Sequence, residues 1–156
     1  MIIMNVLLFD IGGTGVKYAV GDEQGNLEEA GLFPTPSADI QALLAAMDSV
    51  RLKADRGREI HGVAVSCPGA VDPGAGIVHG RSAVPCIHGI PFLEMLSRLF
   101  GGLPVSIEND ARCFAWGELW KGAGTDRHCN EPDSRLLPGS REREGPKGGQ
   151  NGRPDV

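Results

Sequence analysis

The first third of the chain alternates between short apolar runs and residues that favour turns. Apolar or alternating runs cover residues 5–9, 16–20 and 27–33, which is typical of short strands. Residues 22–26 have turn chemistry and separate the second run from the third. The pattern predicts a three-stranded antiparallel meander, with its first turn at Gly12-Gly13-Thr14-Gly15.

Helical periodicity begins after Pro36. Apolar side chains at i, i+3, i+4, i+7 and i+10 form one stripe, at Ile40, Leu43, Leu44, Met47 and Val50. Either Ser37 or Asp39 can cap this first helix. A second helix is predicted from Pro91 to the Gly101-Gly102 pair, and a third over residues 111–121.

Two more strands fall between these helices, at residues 60–65 and 104–107. Residues 70–90 are rich in turn formers, and no element is assigned to them. The resulting β-β-β-α-β-α-β-α order predicts one α/β domain, a mixed sheet with helices packed on it.

The composition changes near residue 126. Residues 127–156 hold only four apolar side chains, together with nine glycines and prolines and no aromatic residue. Such a stretch buries too little apolar surface to offset the entropy of ordering it. We therefore expect a globular domain over residues 1–126 and a disordered, unrelated tail over 127–156.

Charge and cysteine usage exclude several classes of protein. The formal net charge is −5, which argues against a nucleic-acid partner. The four cysteines, at positions 67, 86, 113 and 129, lack metal-site spacing and are too sparse for a disulfide framework. The apolar N-terminus has no basic segment before it and is interrupted at Asp10, so neither a signal peptide nor a membrane span is expected. A cytoplasmic location follows as an expectation.

The first motif that carries chemistry is Asp10-Ile11-Gly12-Gly13-Thr14-Gly15. Glycines let backbone N–H groups approach a ligand closely, and successive N–H groups form a concavity that binds anions. A carboxylate beside it can interact with Mg²⁺ on a phosphate. The motif lacks the Lys of a Walker A loop and the following helix of a Rossmann loop. A glycine-rich hairpin turn without a ligand remains the alternative.

Two further motifs follow predicted strands. The first, Ser66 to Pro73 (SCPGAVDP), is equally compatible with an ordinary Pro-Gly turn. The second is Glu108-Asn109-Asp110-Ala111, where a carboxylate can accept a proton from a hydroxyl that attacks a phosphate. Asn and Asp are also preferred helix N-caps, so capping is the alternative here.

The order of the three motifs resembles the N-terminal domain of the ROK family of sugar kinases (repressor, open reading frame, kinase). The resemblance runs from Asn5 to Gly124. It implies the actin/hexokinase/Hsp70-like, or ribonuclease H-like, fold. It also implies an ATP-dependent kinase that phosphorylates a hexose or N-acetylhexosamine, with ATP and Mg²⁺ as cosubstrates, a small-molecule sugar as partner and often a homodimer.

The resemblance also assigns roles to individual residues. Asp110 is the expected general base, and Asn109 is expected to hold a ring hydroxyl. Pro68 and Gly69 are expected to line the sugar pocket. The phosphate- and Mg²⁺-binding residues implied are Asp10, Gly12, Gly13 and Thr14.

The sequence departs from the family pattern in two places. Arg112 stands where the family usually has Asn, which leaves the choice of sugar open. No counterpart of the family's second domain follows Gly124, nor its zinc-binding cysteine cluster, so no zinc is expected. The sequence therefore predicts a truncated or frameshifted product, weakly active or inactive alone. Two alternatives remain. One is a sugar-responsive transcriptional regulator, which is disfavoured because a phosphate loop that begins at Asp10 leaves no room for a DNA-binding domain before it. The other is a non-catalytic sugar-binding fragment.

Overall fold

The computed structural model describes residues 4–122. Its elements, in chain order, are β1 (Val6–Ile11), β2 (Gly15–Gly21), β3 (Leu27–Pro34), α1 (Ile40–Ala54), β4 (Gly62–Cys67), β5 (Ala70–Asp72), β6 (Ile77–His79), α2 (Phe92–Leu99), β7 (Val105–Asn109) and α3 (Asp110–Lys121), with a single 3₁₀ turn at Pro85–Ile87. The predicted tail and the domain boundary at residue 126 lie outside the described residues.

Five strands form one mixed sheet in the order β3-β2-β1-β4-β7. The meander β1-β2-β3 is antiparallel, whereas β4 pairs parallel to β1, and β7 parallel to β4. Since β1, β4 and β7 run in the same direction, their carboxyl ends lie at one edge of the sheet. The predicted mixed sheet and element order are confirmed.

The core lies between one face of this sheet and the helices α1 and α2. Alternate strand residues point toward these helices, so Leu7, Phe9 and Ile11 of β1 are each at most 2% exposed. The predicted stripe of α1 buries four of its five members, and Asp39 rather than Ser37 caps the helix, its Oδ1 accepting from the Ala42 N–H at 3.0 Å.

The structure adds elements in the segment left without assignment. Residues 70–79 form a two-stranded antiparallel hairpin, β5-β6, which turns at Pro73 to Gly76. Its strands have three residues each, too short for an alternating pattern to be visible in the sequence. Within residues 4–122, no helix is long and apolar enough to cross a membrane.

Candidate functional site

The three motifs meet at the edge where β1, β4 and β7 end. The turn Gly12 to Thr14 follows β1, Pro68-Gly69 follows β4, and Asn109-Asp110 joins β7 to α3. Parallel strands with helical crossovers place loops from distant sequence positions side by side, which is why α/β proteins bind ligands there. The topology thus brings together residues up to 100 positions apart.

The turn after β1 leaves backbone donors available. The Gly12 N–H donates to the Gly15 carbonyl at 3.0 Å and closes the turn. Within residues 4–122, the N–H groups of Gly13 and Thr14 and the Thr14 hydroxyl have no hydrogen-bond partner, and both residues are exposed. Gly13 also lies against Ala83, because a Cβ on Gly13 would sit 2.6 Å from the Ala83 Cβ. A side chain at position 13 would collide there.

Asp10 lies at the end of β1 with its carboxylate exposed. Ser66, on the neighbouring strand β4, donates its hydroxyl to Asp10 Oδ1 at 2.8 Å. The two residues are register partners in the parallel ladder, so the bond follows from the strand pairing. It orients one carboxylate oxygen and leaves the other open to a ligand.

Asn109 and Asp110 are held by a compact set of hydrogen bonds. The Asn109 amide nitrogen donates to the Gly69 carbonyl at 2.9 Å, and its oxygen accepts from the Arg112 N–H at 3.2 Å, capping α3. Asp110 Oδ1 accepts from the Ala111 N–H at 2.8 Å and from the Asn109 amide at 3.1 Å. No described residue donates to Asp110 Oδ2. The carboxylate is therefore fixed through one oxygen while the other can accept a proton.

The Gly69 loop is backed by a histidine. Gly69 has φ +116°, where a side chain is strained, and a Cβ there would lie 2.7 Å from His88 Cε1. His88 Nε2 lies 2.6 Å from the Ser82 hydroxyl, whereas its Nδ1 is buried and has no hydrogen-bond partner among the described residues. Pro68, half-buried, precedes this glycine. A glycine is therefore required at position 69 for two independent reasons.

The edge is acidic. Burial raises the pKa of the Cys113 thiol, on the first turn of α3, and the charges of Glu108, Asp10 and Asp110 raise it further. Three carboxylates therefore lie close to one thiol. Arg112 lies beside them, with its guanidinium 3.5 Å from Glu108 Oε2. A polyphosphate approaching this edge would be repelled unless a cation accompanied it.

These features fit Mg²⁺ carried on a nucleotide better than Mg²⁺ held by the protein alone. Within residues 4–122, no group of three or more His, Cys, Asp or Glu side chains is arranged to hold a metal ion. Mg²⁺ commonly takes only one or two protein carboxylates and completes its shell with waters and substrate phosphates. Asp10, exposed and beside the unpaired amides, is the carboxylate suited to that arrangement.

The structure thus gathers all eight predicted site residues at one edge. Sequence reasoning placed Ser66 in the second motif without a role, and it missed Ala83 against Gly13 and His88 behind Gly69. The one-dimensional pattern does not show what these three residues contact, because each acts across a strand pairing or a loop contact.

Trp116 and Trp120 form an i, i+4 aromatic pair on α3, a spacing that predicts packing in a core or at a domain interface. They are 68% and 58% exposed, so the core placement is wrong, and the interface placement stays a prediction.

The sequence profile of the ROK family matches residues 6–129. The beta-glucoside kinase of Klebsiella pneumoniae is 35% identical over 123 residues, which cover 79% of this chain and 40% of that protein. The chain therefore spans about two fifths of the length of the curated relatives it matches.

Two solved structures carry the same resemblance. A ROK family protein from Streptococcus pneumoniae TIGR4, in complex with sucrose, matches with a TM-score of 0.66 and 40% identity over 75% of this chain and 38% of its own. A ROK family glucokinase from Streptomyces griseus, in complex with glucose and AMPPNP, matches with a TM-score of 0.67 and 28% identity, over 77% and 38%. The actin/hexokinase-like fold expected from the sequence is confirmed.

Proposed function

The chain belongs to the ROK family, and we propose that it supplies the sugar- and phosphate-binding loops of an ATP-dependent sugar kinase. The substrate class is a hexose or N-acetylhexosamine. The observation that carries the proposal lies at one edge of the sheet. Among residues 4–122, the amides of Gly13 and Thr14 and one oxygen of the Asp110 carboxylate have no hydrogen-bond partner there. Phosphoryl transfer needs both an anion cradle and a proton acceptor.

Asp110 is proposed as the general base. Its Oδ2 accepts the proton of a sugar hydroxyl while that oxygen attacks the terminal phosphate. Because Oδ1 already accepts two hydrogen bonds, the carboxylate keeps one orientation during the transfer. Catalysis of this kind depends mainly on positioning and on charge stabilisation rather than on covalent chemistry.

The neighbouring residues are proposed to position the two substrates. Gly13 and Thr14 donate backbone N–H groups to phosphate oxygens, with Gly12 completing the turn. Asn109 and the Pro68-Gly69 loop orient the sugar. Asp10 holds Mg²⁺ or its waters, and the ion, when bound, neutralises phosphate charge that the acidic edge would otherwise repel.

Sugar-dependent ADP formation tests the proposal directly. The chain is assayed with MgATP and a panel of hexoses and N-acetylhexosamines, beside Asp110→Asn and a matched control, Asp55→Asn, whose carboxylate lies at the end of α1. We expect turnover, where present, to fall by at least about a hundredfold in Asp110→Asn and to persist in Asp55→Asn.

Binding extends the test to a chain without turnover. Amide NMR signals of Gly13, Thr14, Gly69 and Asn109 are followed during separate titrations with MgATP and with glucose. We expect MgATP to shift the first pair and glucose the second. If neither ligand shifts these signals and no sugar yields ADP, the proposed function is wrong.

A further inference from the structure

The turn after β1 is held from outside by a residue that no motif includes. Thr35, immediately after β3, donates its hydroxyl to the Gly12 carbonyl at 2.6 Å. Its backbone N–H donates to the Thr14 carbonyl at 3.1 Å. One residue therefore binds the turn on both sides of Gly13.

These bonds change what the turn presents to a ligand. The carbonyls of Gly12, Thr14 and Gly15 are each engaged within the protein, while the N–H groups of Gly13 and Thr14 stay unpaired among the described residues. Backbone carbonyls left free would favour a cation, whereas free N–H groups favour an anion. Because these three carbonyls are engaged, the turn favours an anion such as a phosphate oxygen.

Thr35 is itself rigidly placed. It stands between Pro34 and Pro36, and each proline fixes its own φ while Pro36 restricts the conformation of Thr35. Neither proline has an N–H, so Thr35 supplies the backbone donor of this tripeptide. Its carbonyl accepts from the Ser37 N–H at 2.9 Å, and the Ser37 carbonyl accepts from Cys86 at 3.0 Å. Thr35 is thus linked through Ser37 to the 3₁₀ turn at Pro85–Ile87.

We infer that Thr35 is the positioning residue of the phosphate loop, in that it occupies the Gly12 and Thr14 carbonyls and leaves the amides of Gly13 and Thr14 for a phosphate. The inference rests on the proposed function, because it assigns a ligand to these amides. It predicts that losing the hydroxyl weakens phosphate binding without weakening sugar binding. A residue with a merely structural role would affect both alike.

The test compares Thr35→Val, which keeps the shape without the hydroxyl, with Thr35→Ser, which restores the hydroxyl. Ser49→Ala is the matched control, because Ser49 donates a hydroxyl to the Ala45 carbonyl on α1, away from the site. MgATP and glucose affinities are measured by NMR titration. We expect Thr35→Val to lose about tenfold in MgATP affinity, while Thr35→Ser stays within about twofold and Ser49→Ala does not change. Glucose affinity stays constant in all three.

The outcomes separate this inference from the proposed function. If Thr35→Val binds MgATP as tightly as the original chain, or loses both ligands equally, the positioning role is wrong and the proposed function survives. If the original chain binds glucose but no MgATP, the inference is wrong. If it binds neither ligand and no sugar yields ADP, the proposed function is wrong as well. Should Thr35→Val fail to fold, hydrogen exchange on the original chain decides. The Gly12 and Thr35 amides must be protected and those of Gly13 and Thr14 must exchange fast, and protection of the second pair overturns the inference.

Discussion

The two faces of the five-stranded sheet are covered very differently. On the face toward α1 and α2, Leu7 and Ile11 are each 1% exposed. On the opposite face, which α3 crosses, Leu32 is 65% exposed and Phe114 of α3 is 70% exposed. One face is a packed core, whereas the other is a partly covered surface.

The helices differ in the same way. Helix α1 buries five residues, while α3 buries none of its twelve. What fixes α3 is its first turn, through the Asn109 cap, the Asp110 hydrogen bonds and the contact of Cys113 with Ser66. Near its other end, Trp120 packs against Gly25 in the turn between β2 and β3. The apolar core therefore lies on one face of the sheet, whereas the candidate site lies at the carboxyl edge where α3 begins, and the two can be perturbed separately.

The largest difference in the free energy of unfolding is expected between substitutions of two phenylalanines. Phe92 of α2 is fully buried and Phe114 of α3 is 70% exposed, so the same substitution tests both faces. Phe92→Ala should lower the free energy of unfolding by about 3–5 kcal/mol, through lost burial and the cavity left behind. Phe114→Ala should change it by less than about 0.5 kcal/mol. Urea unfolding followed by circular dichroism measures both.

An equal loss of stability in the two variants would contradict this prediction. If Phe114→Ala costs as much as Phe92→Ala, α3 packs against a further surface in solution and the contrast between the faces is not a property of the folded chain. In that case the cost should depend on protein concentration, because a second copy would supply the surface.

The covered face could be predicted from the sequence, and the reason is periodicity. Burial of every third or fourth residue in α1, and of alternate residues in β1, leaves a repeating apolar signal. Asp39 after Pro36 carried capping chemistry, and the order of the elements then predicted the mixed sheet. These features depend on neighbours in the sequence, which a pattern records.

The supports of the site could not be predicted in the same way. Ser66 meets Asp10 only because β1 and β4 pair in one register, and Thr35 reaches Gly12 only because β3 returns beside β2. Such contacts join residues 23 to 56 positions apart and leave no local trace. The exposure of Trp116 has a similar cause, since an i, i+4 aromatic pair indicates a helix face without indicating what covers it.

The caps of α1 and α3 should contribute alike to stability and differ only in their effect on the Gly69 loop. Asp39→Ala and Asn109→Ala should each cost about 1 kcal/mol, because each removes an oxygen that accepts a first-turn N–H. Asn109 also donates to the Gly69 carbonyl, so its loss should shift the Gly69 amide signal, whereas Asp39→Ala should not.

Asn109→Asp separates the two roles of Asn109. It keeps an oxygen for the cap but puts a charged oxygen opposite the Gly69 carbonyl and Asp110 Oδ1, so only part of the stability should return while the shifted Gly69 signal remains. If Asn109→Asp restores the original Gly69 signal, the hydrogen bond between Asn109 and Gly69 does not hold the loop.

The last difference, the smallest at neutral pH because it is absent there, concerns the pKa values of two thiols. Burial raises the pKa of Cys67 to about 12, with help from the charges of Asp110, Cys113 and Glu108, while Cys113, half-buried on α3, is raised less. An unfolded cysteine has a pKa of about 8.5. Below that pH both states keep the proton and stability is unaffected. Between about pH 8.5 and 12 only the unfolded state loses it.

Ionisation therefore favours unfolding at alkaline pH, and the free energy of unfolding should fall as the pH rises. Its slope for Cys67 can reach about 1.4 kcal/mol per pH unit. Urea unfolding between pH 8 and 10 should give a shallower slope for Cys67→Ala than for the original chain, with Cys113→Ala in between. Equal slopes for all three proteins would mean that Cys67 ionises as easily in the folded chain as in the unfolded one. Water would then reach the covered face at the end of β4, and the two faces would not differ in burial next to the candidate site.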